Sequence, residues 1–99
     1  MIIGDGDVAK VLPDRDDYIW FASGVSNSLE TRESEFRREK DLLFSFADER
    51  DKKLVYFSTL SALYKDSPYT KHKRKMEQYV KMWPHHAIVR IGNIDWGTN

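Results

Sequence analysis

Short apolar runs alternate with longer amphipathic segments along the whole chain. Four of these runs are too short for helices and predict strands: residues 1–3, 18–22, 54–57 and 87–91. The three later runs are rich in aromatic and β-branched residues and lack polar alternation. This pattern is typical of strands covered on both faces.

Helical periodicity fills the longer intervals between these runs. Residues 31–50 repeat apolar positions at helical spacing, and Thr31 is a candidate N-cap. Ser67 and Pro68 predict a second helix start, because serine caps the first turn and proline is tolerated at the first helical position. We expect this second helix to run to residue 83, where the following proline stops it.

The alternation of strands and helices predicts an α/β fold. Strand–helix–strand units form parallel sheets with right-handed crossovers. We therefore expect a three-layer, Rossmann-like architecture of about four parallel strands with crossover helices, including a short helix over residues 7–12. Ninety-nine residues suit one domain, residues 1–99, with a modest core.

Composition and charge narrow the class of protein. The chain has no cysteine, which excludes disulfides and thiolate chemistry. No apolar run approaches the ~20 residues of a membrane span, and the first residues lack a signal-peptide pattern, so we expect a cytoplasmic protein without a membrane partner. Residues 1–50 carry seven Lys/Arg and twelve Asp/Glu, whereas residues 51–99 carry nine and four. These opposite charges favour two solvated faces that attract each other.

A glycine-rich segment directly follows the first predicted strand. Residues 4–9 read Gly-Asp-Gly-Asp-Val-Ala, a G-x-G-x-x-A pattern. Glycine lets the backbone approach a pyrophosphate, and a small residue lets the helix pack on the strand. A tight βα turn explains the same residues, and Asp5 places a negative charge beside the proposed phosphates. Asp7 is a candidate N-cap.

Tyr69 and Lys73 lie four residues apart on the second predicted helix, so they share a face. An ammonium near a phenol favours the phenolate, which would lower the tyrosine pKa from about 10 toward the range of a general acid/base. A surface helix with a basic face over residues 71–75 explains the same pattern.

Hydroxyl residues follow the strand predicted at residues 54–57. Ser58, Thr59 and Ser61 stand at its carboxyl end, where open α/β sheets form their active sites. A hydroxyl there can hydrogen-bond a substrate carbonyl or alcohol. A local Ser/Thr turn is the alternative interpretation.

In this order, the motifs resemble the short-chain dehydrogenase/reductase superfamily, and within it the NAD-dependent sugar epimerases and dehydratases. The most specific element is Ser-Pro-Tyr-x-x-x-Lys at residues 67–73, placed after a strand that ends in Ser-Thr. The resemblance also takes in Phe-Ala-Ser-Gly at residues 21–24 and Arg-Ile-Gly-Asn at residues 90–93. It covers nearly the whole chain.

The resemblance implies a role for each site residue. Tyr69 would be the catalytic acid/base, and Lys73 would lower its pKa and hold the nicotinamide ribose. Thr59 would orient the substrate, with Ser61 or Ser58 as alternates. The implied cofactor is NAD or NADP, bordered by Gly4, Gly6, Ala9, Ala22, Ser23 and Gly24. The implied reaction is hydride transfer on a nucleotide-sugar-like small molecule by an epimerase, dehydratase or reductase.

Departures from the family pattern favour a second interpretation. Only residues 10–17 separate the Gly-rich turn from the next strand, so the strand that usually selects NAD or NADP is missing. Residues 31–50 hold no asparagine for a proton relay. The alternative is a non-catalytic Rossmann-like interaction module that has lost cofactor binding. Either way, the chain would be a truncated or minimal member of the family.

The predicted helices also suggest an assembly. Helices 31–50 and 67–83 carry much apolar surface, with Tyr79, Met82 and Trp83 near one end, and relatives pair through these helices, so we expect a homodimer. The basic run lacks a base-stacking pattern, so no nucleic-acid partner is expected. The three histidines lack partners at metal-binding spacing, so no metal is expected.

Overall fold

The computed structural model describes residues 1–4, 10–24 and 29–91. Its elements, in chain order, are β1 (Ile2–Ile3), β2 (Tyr18–Phe21), α1 (Glu33–Phe44), β3 (Lys53–Thr59), a 3-10 turn (Leu60–Leu63), α2 (Pro68–Val80) and β4 (His86–Ile91). The four strands form one parallel sheet in the order β1-β2-β3-β4. The predicted α/β class and parallel pairing are therefore confirmed.

The core lies between the sheet and the two helices. Its buried members are Ile19, Phe21, Leu43, Leu54, Tyr56, Met76, Val80 and Trp83. Successive strand residues point to opposite faces, so residues two apart on β2 and β3 share the face that the helices cover. The exposure of successive β2 residues alternates between half-buried and buried, because only one face of this strand is fully buried.

Both described helices cover the same face of the sheet. On β3 the Tyr56 hydroxyl donates to Glu39 of α1, and Ser58, two residues later, donates to Glu77 of α2. Right-handed crossovers that add strands in one direction place every helix on one face. The described residues therefore form two layers, and a third layer is not present among them.

The first helix is shorter than expected. It covers Glu33–Phe44 rather than residues 31–50, and its N-cap is Arg32, which makes no capping hydrogen bond through its side chain. The prediction of Thr31 as N-cap is therefore wrong. The backbone N–H groups of Thr31 and Arg32 instead donate to the carboxylate of Glu30, which anchors the approach to the helix.

The start of the second helix is confirmed and its end is corrected. Ser67 caps it, since the Thr70 N–H donates to the Ser67 hydroxyl at 3.2 Å and the Ser67 N–H donates to the Thr70 hydroxyl at 2.8 Å. The helix ends at Val80, three residues early. Trp83 then turns into the core and is 0% exposed, so it does not contribute to an outer surface for pairing.

The strands differ in how fully their two faces are buried. β3 is buried at five of its seven positions, as predicted. β2 alternates between half-buried and buried residues, so the expectation of two covered faces is wrong for residues 18–22. β4 lies at the edge of the described sheet and has no fully buried residue, which corrects the expectation for residues 87–91. Half of the helix predicted at residues 7–12, namely residues 7–9, lies outside the described residues. No helix in the described part of the chain is long and apolar enough to cross a membrane.

Candidate functional site

Most of the predicted site residues lie at the carboxyl edge of the sheet. Gly4 follows β1, residues 22–24 follow β2, and Thr59 ends β3. The loops that follow parallel strands meet at this edge, which is why open α/β sheets bind ligands there. The predicted cofactor residues Gly6 and Ala9 lie outside the described residues.

Gly4 and Ala22 are in direct backbone contact at this edge. The Ala22 N–H donates to the Ile3 carbonyl at 2.8 Å. Gly4 has a φ of +126°, and a Cβ atom on it would lie 2.7 Å from the Ala22 carbonyl oxygen. Only glycine meets both conditions without strain. Gly4 and Ala22, two of the predicted cofactor-binding residues, are therefore adjacent, and their side chains occupy little space at this edge.

The predicted hydroxyl residues gather around Tyr69. Thr59 lies close enough to the Tyr69 phenol to oppose the rise in its pKa, and Thr59 Oγ1 lies 2.9 Å from Ser61 Oγ. Ser58 lies apart from them, because it faces the helix layer and its hydroxyl donates to Glu77 at 2.7 Å. The structure therefore brings Thr59, Ser61 and Tyr69 together, whereas Ser58 belongs to another network.

Lys73 lies near Tyr69, but its ammonium has closer hydrogen-bond partners. Its ammonium is 5.7 Å from the centre of the Tyr69 ring, whereas it donates to Glu39 Oε2 and to the Tyr56 hydroxyl, each at 3.1 Å. His72 Nε2 lies 2.6 Å from Glu39 Oε1. We call Glu39, Tyr56, His72 and Lys73 the Glu39 cluster, because one buried carboxylate joins the other three side chains.

The Glu39 cluster shifts the pKa of its members. Burial by itself raises the pKa of Glu39, but the hydrogen bond with His72 and the charge of Lys73 outweigh it and hold that pKa at about 2. Burial lowers the pKa of Lys73, and the charge of Glu39 opposes this effect. Burial and then the charge of Glu39 raise the pKa of Tyr56 well above 10.0. The carboxylate is therefore the group held most firmly in its charged form.

The expectation that Lys73 lowers the pKa of Tyr69 is wrong in this structure. Burial raises the Tyr69 pKa above its ordinary value, the charge of Glu39 raises it further, and the hydrogen bond with Thr59 opposes both effects. Burial is the main reason, and Lys73, which is paired with Glu39, does not offset it. The phenol faces a neutralised pair in a buried setting rather than an isolated ammonium.

Gly24 covers the ion pair. A Cβ atom on Gly24 would collide with Glu39 Oε2 and would lie 2.9 Å from Lys73 Nζ. Lys73 is 2% exposed. A ribose has no direct access to this ammonium in the arrangement observed, and Tyr69 and Thr59 at the edge are themselves buried, at 7% and 8% exposed.

Sequence reasoning missed Glu39, which has the most contacts in the cluster. A signal was present, since Glu39 interrupts an apolar stripe formed by Phe36 and Leu43 at helical spacing. It also lies on the helix where the family resemblance leads one to expect an asparagine. A second missed network joins Glu77 to Ser58 and to Arg90, whose Nη2 donates to Glu77 Oε1 at 2.7 Å.

Within the described residues, no group of three or more His, Cys, Asp or Glu side chains is placed to hold a metal ion. No protein-family model matches the chain, and neither a curated protein nor a solved structure matches it. Its function therefore has to be inferred from its own geometry.

Proposed function

We propose that the chain is a minimal nucleotide-binding domain of the short-chain dehydrogenase/reductase type, acting as an NAD(P)-dependent epimerase, dehydratase or reductase on a nucleotide-sugar-like small molecule. The observation that carries this proposal is the grouping of Thr59, Ser61 and Tyr69 at the carboxyl edge of a parallel sheet, with Lys73 one helical turn beyond Tyr69. Oxidation of an alcohol needs a proton acceptor and a hydrogen bond to the reacting oxygen, and these side chains offer both.

The strand order supports the proposal. Classic dinucleotide-binding folds have the order 3-2-1-4-5-6. A chain that keeps strands 1, 4, 5 and 6 of that order has four sequential parallel strands, as observed here. The three-layer architecture is part of this proposal, since the face opposite the helices still presents Tyr18 and Trp20, whose rings stack with centroids 5.1 Å apart.

Each edge residue has a distinct role in this proposal. Tyr69, ionised to the phenolate in the dinucleotide complex, would take the hydroxyl proton as the substrate alcohol is oxidised to a carbonyl, and Thr59 would orient the same oxygen. The residues next to the edge, Gly4, Ala22 and Ser23, have small side chains that suit a pyrophosphate. A nicotinamide dinucleotide, when bound, supplies the hydride acceptor. Lys73 would reach the ribose only if Gly24 moved off it.

A second candidate function is a non-catalytic interaction module. Two observations favour it: Glu39 neutralises Lys73, and the pKa of Tyr69 is raised rather than lowered. Both reduce the capacity of the phenol to accept a proton near neutral pH. On this alternative the Glu39 cluster is a structural device that fixes α1 and α2 on the sheet.

Calorimetric titration with NAD(H) and NADP(H) separates the two candidates. The enzyme proposal expects one dinucleotide to bind the chain below millimolar concentration. Lys73→Met should weaken this binding, and Tyr69→Phe should retain it, because only a hydroxyl that contacts substrate is lost. If neither dinucleotide binds at millimolar concentration, the enzyme proposal fails and the non-catalytic module takes its place.

Tyrosine ionisation then tests the role of Tyr69. In the dinucleotide complex, one tyrosine should ionise at lower pH than in the free chain, as followed by ultraviolet absorbance. Tyr69→Phe should remove this early transition, and the matched control Tyr64→Phe, at an exposed tyrosine, should keep it. A complex with no early transition would contradict Tyr69 as general base.

A further inference from the structure

A cavity of about 430 Å³ lies between the outer surfaces of α1 and α2. Lys71, His72 and Lys75 line it from α2. The neighbouring residues Tyr69 and Lys73 lie on a different side of the same helix, toward the sheet. The cavity is therefore separate from the carboxyl-edge site, although His72 also belongs to the Glu39 cluster.

Positive charge dominates the lining of this cavity. It contains four cations, Arg37, Lys40, Lys71 and Lys75, against the single carboxylate of Glu33. The cations are spaced three apart on α1 and four apart on α2, so each pair shares a helix face. Like charges at this spacing destabilise a helix. An anion between the two helices would relieve both repulsions at once.

Three of these cations have no ion-pair partner in the described part of the chain. Lys71 reaches Asp66 at 3.8 Å, and Lys40 lies over the ring of Tyr79 at 5.7 Å. Arg37 and Lys75 make no ion pair with any described residue. Their charges face a concave space in which a ligand can contact both helices.

An aromatic pair, Phe36 and His72, forms part of the cavity lining. The Phe36 ring stacks on the His72 ring with centroids 4.5 Å apart. His72 is 8% exposed, and its Nε2 is fixed by the ionised Glu39. A lining that combines this stacked pair with four long cationic side chains suits a compact ligand of high negative charge.

We propose that this cavity is a binding site for a small polyanion, namely a molecule that carries a diphosphate or comparable group. The proposal does not depend on the function proposed for Tyr69, because none of the lining residues contributes to the carboxyl edge. A second copy of the chain is a poorer occupant. A twofold-symmetric pair through this face would bring the same cations of each copy together.

Titration with inorganic pyrophosphate tests the proposal, using two matched double variants. Lys40→Gln with Lys75→Gln removes one cavity cation from each helix. Lys65→Gln with Lys81→Gln removes two exposed lysines outside the cavity, so the net charge changes equally. We expect the cavity variant to weaken pyrophosphate binding by roughly tenfold or more and the control by less than about twofold. Equal weakening in both variants, or no binding at millimolar concentration, would overturn the proposal.

The three histidines provide a second readout by nuclear magnetic resonance. Pyrophosphate should shift the imidazole signals of His72, whereas His85 and His86, which lie beyond α2, should not respond. Binding without a shift at His72 places the anion elsewhere and contradicts the proposal. Light scattering tests the alternative that a second copy of the chain occupies this face. If the cavity variant alters the oligomeric state and leaves pyrophosphate affinity unchanged, the face is an interface between copies and the proposal is overturned.

Discussion

Glu39 shows how one side chain can determine the local chemistry of a small domain. It is 0% exposed and accepts hydrogen bonds from three side chains, those of Tyr56, His72 and Lys73. Burying an unpaired charge costs much folding free energy, so the Glu39 carboxylate can be buried only because these three hydrogen bonds pair it. The same pairing removes the isolated positive charge that Tyr69 would need to ionise easily.

Stability should therefore depend on pH through Glu39. Its pKa is about 2 in the folded chain and is taken as 4.5 in the unfolded chain. Since folding favours the ionised form, its contribution is fully present above pH 4.5 and is lost as the pH falls toward 2. The expected loss is on the order of 3 kcal/mol, measured by urea unfolding across this range.

Two variants check the source of this dependence. Glu39→Gln should flatten the fall in stability, because the amide cannot be protonated in this range. It should not abolish it, since the pKa of Glu77 is also lowered, by its hydrogen bonds to Arg90 and Ser58 against the effect of burial. Asp41→Asn, an exposed position on α1, should keep the wild-type fall. An unchanged profile in Glu39→Gln would show that the cluster does not govern acid stability.

At the scale of elements, the two helices differ in how they begin. α2 has a complete capping box between Ser67 and Thr70, and Pro68 follows at the first helical position. α1 has no side-chain cap. Local sequence signals therefore explain the start of α2, whereas the approach to α1 is anchored by the Glu30 carboxylate, which accepts from the backbone N–H groups of Thr31 and Arg32.

Capping variants should separate the two helix starts. Ser67→Ala removes a hydroxyl that accepts a backbone N–H, and should lower the free energy of unfolding by about 1 kcal/mol. Thr31→Ala removes a side chain with no capping role and should change it by less than about 0.5 kcal/mol. Urea unfolding at neutral pH measures both, and equal losses would contradict the assignment of these caps.

At the scale of the whole molecule, the core is closed by a residue outside the regular elements. Trp83 lies three residues beyond the end of α2 and is fully buried among residues of the sheet and both helices. Arg50 covers its ring at 5.2 Å. Trp83 thus connects the turn after α1 with the turn after α2.

Removing the Trp83 side chain should strongly destabilise the folded chain. Trp83→Ala leaves a large cavity in the core and should cost roughly 3–5 kcal/mol. Its neighbour Met82 is 52% exposed, and Met82→Ala should cost less than about 0.5 kcal/mol. Thermal unfolding followed by circular dichroism compares the two, and a mild effect of Trp83→Ala would place that ring outside the core.

Local patterns in the sequence determined the elements of this protein. The four apolar runs each became a strand, because short β-branched and aromatic segments fit a buried pleated surface. Strand–helix alternation determined the parallel pairing, since parallel neighbours require a crossover connection. Ser67 and Pro68 determined the start of α2, because capping involves only adjacent residues.

Tertiary structure decided the chemistry of the site. Glu39 and Lys73 lie 34 residues apart, and only the packing of α1 against α2 on one sheet face brings them to 3.1 Å. The pKa of Tyr69 depends on the sum of burial and all nearby charges, so the spacing of Tyr69 and Lys73 along a helix predicted the wrong sign. Periodicity encodes which residues form an element and which side is apolar, whereas the partner of a buried charge is settled only when distant elements meet.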